Sequence, residues 1–478
     1  MKILLAHCYF LSNDQNEQRI MKPYPPLGLL YISAALKEAG HDVKVFDSTF
    51  SKPQDLADRL STERPELLGL YANVITRDEV LSVIAKAHAQ GIPVIVGGPD
   101  ATGDGEAYLK AGALAVVRGE GERTVVELVA RLTKDGFDAD LSSLAGLFLM
   151  KDSMITTPPP ERISDLDALP HPDREAIDLD RYGEVWRERH GHSSINLITT
   201  RGCPYSCTWC SREVFGKAVR QRSTDNVIEE LEYIRTRYSP DQIWFSDDVL
   251  TLNKPWTIEL TNKMVEHGLT TRFECLSRVD RVDTEILQGL KAAGCFRIWY
   301  GAESGSDKIV KAMGKGFGVD LVKESVKKTM DTGIEVGLFI LLGYPGETLG
   351  DLLKTMGMIR ELKPDYCGGT VAFPIKGTTF YDEVQHLLSD DYAWSRRNEN
   401  RLSFRGRYPR LFYWFAVRLL HNWSSFFSAR AHTFSVGTKA LYALKFIVAG
   451  AGTIGVGAIW GLFQKPQATK DVSTSAKS

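Results

Sequence analysis

The stretch TTRGCPYSCTWCSREVFG, residues 199–216, contains three of the chain's seven cysteines within eight positions. The spacing is C-x3-C-x2-C and places Cys203, Cys207 and Cys210 in one short loop. Structural zinc sites are closed by four ligands, commonly in two spaced pairs, and no second pair occurs in this chain. An iron–sulfur cluster held by three thiolates fits better and leaves one iron with an open coordination position. A zinc ion with three thiolates and a water is the competing interpretation.

The cysteine loop follows the first of six strand-like runs that alternate with helical patterns between residues 193 and 385. These runs are SINLITT, QIWFSDD, RFECLSR, FRIWYGAE, EVGLFILLG and DYCGGTVAF. Six such units favour a barrel or partial barrel of the TIM type. The cysteine loop would then lie at the carboxyl ends of the strands, where such barrels carry their active sites.

The N-terminal part of the chain shows a second alternation of strands and helices, over residues 1–135. This pattern predicts a doubly wound, Rossmann-like parallel sheet. Ligands of such sheets bind beyond the carboxyl ends of the strands, where VGGPDATG (96–103) and VRGEGE (117–122) are rich in glycine. Neither loop is a nucleotide-phosphate fingerprint. His7 ends the first strand, and a lone histidine there is more often structural than a metal ligand.

Composition and charge exclude several classes of protein. A chain of 478 residues is long enough for two or three domains. Its net charge of −2 argues against a nucleic-acid partner. Seven cysteines are a low, odd count that favours a reducing, cytoplasmic location over a disulfide framework. The N-terminal MKILLAHCYF reads as a first strand, not a signal peptide.

The remaining segments give the domain organisation. Residues 151–192 are proline-rich and predict a linker. Residues 386–478 predict a mainly helical C-terminal segment, within which 446–463 carry no charge for 18 positions, the lower limit for a membrane span. Ten Lys or Arg in residues 396–445 lie among aromatics, which suits an anionic membrane surface. Because 446–463 contain five glycines, we expect peripheral contact with the inner face of the membrane, the alternative being a helical cap on the main domain.

The cysteine motif, with Trp209 before the third cysteine, resembles the radical S-adenosylmethionine superfamily. In that superfamily the open iron of a [4Fe-4S] cluster is chelated by the amino and carboxylate groups of S-adenosylmethionine. The reduced cluster then cleaves the sulfonium to a 5′-deoxyadenosyl radical, which abstracts a hydrogen atom from an unreactive carbon. The resemblance implies that Cys203, Cys207 and Cys210 are the catalytic metal ligands.

Five later stretches, the last of them VAFPIKGTTFY, resemble further motifs of this superfamily, in the expected order over residues 193–385. IWFSDDVLT would meet the methionine amino group, ECLSRVDRVD its carboxylate, YGAESGSD the ribose or amino-acid end, and GLFILLGYPGET the adenine. A carboxylate suits an ammonium and a guanidinium suits a carboxylate. The resemblance implies contacts to S-adenosylmethionine from Trp209, Asp247, Asp248, Arg278, Glu303, Ser304, Gly343 and Gly346.

Residues 1–150 resemble the cobalamin-binding domain of the cobalamin-dependent radical S-adenosylmethionine class. KPYPPLGLLYISAALKEAGHDVKVFD, VIVGGPDAT and VVRGEGE carry this resemblance. Members often have histidine after Gly-Gly-Pro, where this chain has Asp100, and the D-x-H-x-x-G signature is absent. We therefore expect cobalamin without a histidine ligand from the protein. The resemblance implies cobalamin contacts from Gly97, Gly98, Gly119, Glu120 and Gly121.

The resemblance predicts an enzyme that uses the cluster and cobalamin to methylate an unactivated carbon. The main alternative is oxidative ring closure of the magnesium-porphyrin cyclase type, which needs the same cofactors. A non-enzymatic cluster and cobalamin sensor is a remote alternative, because the S-adenosylmethionine motifs are intact. The basic, aromatic C-terminal segment suggests a small hydrophobic substrate such as a lipid, isoprenoid or tetrapyrrole. A flavodoxin or ferredoxin would supply electrons.

Overall fold

A computed structural model describes residues 1–212, 214–388 and 404–463. Its first sheet has seven strands: β1 (Lys2–Ala6), β2 (Asp42–Phe46), β3 (Leu67–Tyr71), β4 (Val94–Gly97), β5 (Ala115–Val117), β6 (Leu147–Met150) and β7 (Met154–Thr156). Their order is β2-β1-β3-β4-β5-β6-β7. Strands β1 to β5 are parallel, whereas β6 and β7 pair antiparallel at one edge. The expected doubly wound sheet is confirmed.

Helices cover both faces of this sheet. They are α1 (Gln15–Ile20), α2 (Leu27–Glu38), α3 (Pro53–Glu63), α4 (Arg77–Ala89), α5 (Pro99–Gly103), α6 (Gly105–Lys110) and α7 (Gly121–Asp135). One apolar cluster joins α3, α4 and α6 to the sheet, and another joins α2 and α7 to the opposite face. Since both faces are covered, the strands are nearly continuously apolar, as in LLGLY of β3.

The second large sheet forms the partial barrel. Its part of the chain contains the strands β8 (Ser194–Leu197), β9 (Thr200–Arg201), β10 (Arg220–Gln221), β11 (Gln242–Phe245), β12 (Arg272–Ser277), β13 (Cys295–Glu303), β14 (Glu335–Leu342) and β15 (Tyr366–Val371). Six of these form one parallel sheet in the order β8-β11-β12-β13-β14-β15. The short strands β9 and β10 pair antiparallel on either side of the cysteine loop. The six predicted strands are all present.

The barrel helices are α9 (Thr224–Tyr238), α10 (Lys254–Glu266), α11 (Thr284–Ala292), α12 (Asp307–Ala312), α13 (Val319–Asp331), α14 (Leu349–Leu362) and α15 (Thr379–Val384). Strand β14 shows how the sequence alternation serves the barrel. Val336, Leu338 and Ile340 are buried in the core formed with the helices. Phe339, between them, faces the barrel interior, remains 36% exposed and stacks on Trp299 with ring centroids 4.9 Å apart.

Residues 151–192 contain more structure than a linker. They include β7 and a helix, α8 (Leu179–His190). The Tyr182 hydroxyl donates to Asp47 (2.8 Å), and the Trp186 indole donates to the Pro23 carbonyl (2.7 Å). The prolines lie at 158–160, 170 and 172, so the sequence after them is free to form a helix that packs on the first domain.

The C-terminal segment is mainly helical, as the sequence predicted, and α16 (Arg410–Phe427) and α17 (Val436–Phe463) form a helical hairpin. Helix α16 packs on the last barrel strand, where a Cβ at Gly369 would collide with the Leu420 side chain. The Trp423 indole donates to the Met356 carbonyl of α14 (2.9 Å). These contacts fix α16 to the barrel, and α17 lies outside it.

Candidate active site

The cysteine loop is closed at its base by the pair β9 and β10. The Cys203 amide donates to the Gly216 carbonyl (3.2 Å). Gly202 has a φ of +88°, and a Cβ there would collide with the Ala218 carbonyl, so this turn needs glycine. Further along, the Thr208 amide donates to the Met313 carbonyl (3.1 Å), which anchors the loop to the end of α12.

All three loop thiols are partly exposed. Burial, with the charge of Asp248 and the neighbouring thiols, raises the pKa of Cys210 to about 12 and also raises that of Cys203. A bound cation such as iron would favour the thiolate forms of Cys203 and Cys210. Across the parts of the chain that the structure describes, no three His, Cys, Asp or Glu side chains form a ready-made site for a single ion. The metal assignment thus rests on the cysteine spacing and on the surroundings of the loop.

Arg278 lies directly beside the cysteine loop. Its guanidinium is 3.9 Å from the Cys207 sulfur and 3.4 Å above the ring of Tyr205. It also donates to Asp280 (2.9 Å) and to the Lys315 carbonyl (2.7 Å). This position is close enough to the loop for the predicted contact to a methionine carboxylate, and it additionally gives a thiolate a charged hydrogen-bond donor.

The two adjacent aspartates after β11 have different surroundings. Asp247 is fully buried, and its carboxylate accepts from the Thr199 amide (2.8 Å) and hydroxyl (3.1 Å). Burial raises the pKa of Asp247 to about 7. Asp247 therefore holds the chain just before the cysteine loop. Asp248 instead lines the cavity described below, and burial raises the pKa of its carboxyl. Of the pair, Asp248 is placed to meet a ligand.

Glu303 ends β13 in the left-handed region, with φ of +62°, and pairs with Lys315 (3.0 Å). Both side chains are buried, and Lys315 Nζ lies 5.8 Å from the centre of the Trp209 ring. The indole nitrogen of Trp209 is buried with no hydrogen-bond partner among the described residues. Lys315 was not among the residues predicted from the sequence, where its only signal is its place between two glycines in GKG.

The remaining residues assigned to S-adenosylmethionine lie in the next two loops. Ser304 is fully buried, and its hydroxyl lies 3.2 Å from that of Thr355. The Gly343 amide donates to Glu347 (2.6 Å), and the Gly346 carbonyl accepts from a lysine. Ser304 thus holds the loop after β13 against Thr355 of α14, while Gly343 and Gly346 form the turn after β14.

A cavity of about 430 Å³ lies between the strand ends of the first sheet and the cysteine loop of the barrel. Its walls are mainly apolar. All five residues assigned to cobalamin line it, and Asn196, Ser246 and Asp248 line it from the barrel side. Those five residues are Gly97, Gly98, Gly119, Glu120 and Gly121.

Glycine backbone forms the cavity wall on the first-domain side. Gly98 has a φ of +112°, and a Cβ there would collide with the Ala72 carbonyl. At Gly119 a Cβ would lie 3.5 Å from the Val214 carbonyl of the cysteine loop. These glycines let a flat ligand approach the backbone, as cobalamin requires. A neighbouring cleft of about 450 Å³ shares Gly28 and Tyr71 with the cavity and extends the space along the sheet edge.

Two polar residues near this space are already paired within the protein. His7 lies on the wall of the neighbouring cleft, and its Nε2 is 3.0 Å from Asp47. Asp100, at the position after Gly-Gly-Pro, accepts from Arg77 (2.7 Å). The His7 imidazole is therefore held by Asp47, and the Asp100 carboxylate is held by Arg77.

Two family models match the chain. The radical SAM superfamily matches residues 197–359, and the B12 binding domain matches residues 19–129. An uncharacterized methyltransferase of Pyrococcus horikoshii is 31% identical over 75% of this chain and 78% of its own length. The anaerobic magnesium-protoporphyrin IX monomethyl ester cyclase of Rubrivivax gelatinosus is 24% identical over 80% of this chain and 70% of its own length.

A solved structure shares the fold. The radical S-adenosylmethionine methyltransferase TsrM from Kitasatospora setae, solved with cobalamin and a [4Fe-4S] cluster bound, matches with a TM-score of 0.67 at 19% identity. The match covers 80% of this chain and 77% of that one. The order of a B12-binding domain followed by a radical SAM domain is therefore confirmed.

Proposed function

The chain belongs to the cobalamin-dependent radical S-adenosylmethionine enzymes, and from this premise we propose that it methylates an unactivated carbon of a small hydrophobic molecule. The observation that carries the proposal is the shared cavity. Its wall combines the glycine loops of the B12-binding domain with Asp248 and the cysteine loop of the barrel. A substrate there would meet both cofactors.

When bound, the cluster with S-adenosylmethionine would supply a hydrogen-abstracting radical, and cobalamin would supply the methyl group. Cys203, Cys207 and Cys210 would hold the cluster, and Arg278 would steady the charge on Cys207. Asp248 would accept a hydrogen bond from the S-adenosylmethionine ammonium. The apolar cavity walls would exclude water, which protects a carbon radical from side reactions.

The apolar walls also support the proposed class of substrate. On the barrel side, Phe215 lines the cavity, and Phe339 and Trp299 stack in the barrel interior. Such surfaces favour lipids, isoprenoids or tetrapyrroles over charged metabolites. We further propose that the protein works in the cytoplasm with a flavodoxin or ferredoxin as electron donor, at the inner face of the membrane.

Oxidative ring closure is the second candidate, because the Rubrivivax gelatinosus relative is a cyclase. One assay separates the two. The anaerobically reconstituted protein is incubated with cobalamin, a reductant, a lipid extract and S-adenosylmethionine carrying a trideuterated methyl group. Methylation predicts 5′-deoxyadenosine, S-adenosylhomocysteine and a lipid that has gained the labelled methyl. A product that has lost hydrogens without gaining label would instead establish a cyclase.

A further inference from the structure

Helix α17 packs on α16 through its small residues. A Cβ at Gly452 would lie 2.6 Å from the Phe415 ring, and one at Gly457 would lie 3.2 Å from the Phe412 ring. Ala449 and Thr453 are buried on the same side. The glycines that made 446–463 look like a poor helix therefore form a contact face, which lets aromatic rings of α16 approach the α17 backbone.

The opposite side of α17, its outer face, is apolar and exposed. Its side chains recur at helical spacing, are between 48% and 61% exposed, and have no charge among them after Lys445. In the described residues, α17 is the one helix long and apolar enough to cross a membrane. The outer face consists of Leu441, Leu444, Ile447, Val448, Ile454 and Ile459.

We propose that the outer face of α17 docks on a lipid bilayer, with the helix lying in the membrane plane. A contiguous apolar stripe of this kind marks an interaction surface. Because α16 is fixed to the barrel and α17 lies along α16, the helix cannot stand across a bilayer without leaving the protein. Lys439 and Lys445, in the N-terminal half of α17, add attraction to anionic headgroups.

The C-terminal end of α17 lies near the catalytic end of the barrel. The Trp460 indole donates to the Arg407 carbonyl (2.9 Å), and the adjacent Tyr408 hydroxyl accepts from the Leu349 amide (2.9 Å). Leu349 follows directly on the loop that contains Gly346. Docking of α17 thus brings this loop close to the bilayer, so we infer a substrate that resides in the membrane. This second step rests on the proposed function, whereas the docking itself does not.

Vesicle flotation of the full chain tests the docking. The vesicles contain phosphatidylcholine and phosphatidylglycerol. The test variant combines Leu444→Glu, Ile447→Glu and Ile454→Glu, all on the outer face. The control combines Ile20→Glu, Val265→Glu and Leu353→Glu, which place the same charge at exposed apolar positions elsewhere. Since all six side chains are exposed, both variants should fold, and thermal melting checks this. If the glutamate test variant does not fold, a variant with serine at the same three positions replaces it.

We expect the wild type and the control to float, and the test variant to float about tenfold less or not at all. Equal flotation of all three, or none by the wild type, would overturn the docking. A lipid-free wild-type dimer that the test variant turns into a monomer would make the outer face an interface between copies and would also overturn it. Flotation without methylation of any membrane lipid would support the docking of α17 and contradict the inference of a substrate that resides in the membrane.

Discussion

Arg201 Nη1 lies 2.9 Å from Glu120 Oε1 and joins the start of the cysteine loop to the glycine loop after β5. Its Nη2 lies 2.7 Å from Glu122 Oε1, and Arg220 also contacts Glu120. All of these side chains are shielded from solvent. Buried charges are tolerated only when paired, so this network fixes the B12-binding domain against the barrel. Glu120, assigned to cobalamin from sequence, has its carboxylate engaged here.

Arg201→Met should destabilise the protein strongly, because it leaves Glu122 buried without its partner. Breaking such a pair costs about 3–5 kcal/mol. Calorimetry should show a Tm several degrees lower, together with weaker cobalamin binding. Lys328→Met, which removes an exposed pair with Glu324, should leave the Tm unchanged. Equal shifts in both variants would show that the Arg201 network does not hold the domains together.

Cys203→Ala, Cys207→Ala and Cys210→Ala should each abolish the cluster, because three thiolates are all the protein ligands it has. Iron analysis and absorbance after anaerobic reconstitution measure this. Cys367→Ala is the matched control, since this thiol lies on β15 outside the loop. Zinc in place of iron in the wild type would refute the assignment.

Gly98→Ala should weaken cobalamin binding and lower the Tm. Both the positive φ and the collision with the Ala72 carbonyl penalise a Cβ there. Gly91→Ala provides the control, because Gly91 also has a positive φ but has open space around it. If both substitutions affect cobalamin affinity equally, the turn at Gly98 is not part of the binding site.

Glu347 should make stability depend on pH. Burial raises its pKa from 4.5 to about 8, and its Oε1 has no partner among the described residues. Between these values the native state keeps a proton that the unfolded state has lost, so stability falls as pH rises. Glutamine at position 347 does not ionise, so Glu347→Gln removes this fall in stability. Its side-chain oxygen can still accept from the Gly343 amide. Its Tm relative to wild type should therefore be higher near pH 8 than near pH 5. An identical difference at both values contradicts the shift.

The alternation of apolar runs predicted the parallel strands β1 to β5 and all six strands of the barrel sheet, but not the antiparallel edge strands β6 and β7. Each predicted strand is present because parallel strands covered on both faces need nearly continuous apolar sequence, which is easily recognised. Asp247 and Asp248 show the limit of this approach. They are adjacent in sequence, yet only the fold reveals that one caps the chain at Thr199 while the other faces the cavity.

Some site residues could not be predicted from the sequence because their partners are distant in the chain. Arg201 and Lys315 act through partners far away in the chain or across a turn, and neither belongs to a recognisable motif. The glycines of 446–463 were interpreted as weakening a helix. Their role appears only when Phe415 is seen to pack against Gly452. Among the aromatic residues of α16, Phe412 and Tyr413 are buried in the barrel core, and Trp423 and Phe426 pack on Phe446 of α17.

Titration of the anaerobically reconstituted full chain with hydroxocobalamin, followed by EPR of the cob(II)alamin form, tests most directly whether the cavity between the two sheets holds cobalamin opposite the cluster. We expect saturable binding of one cobalamin per chain in protein that also holds one [4Fe-4S] cluster. The cobalt signal should not change when the protein's histidines carry nitrogen-15, because His7 is paired with Asp47. Failure to bind cobalamin, or a signal that responds to the labelled histidines, would contradict this assignment.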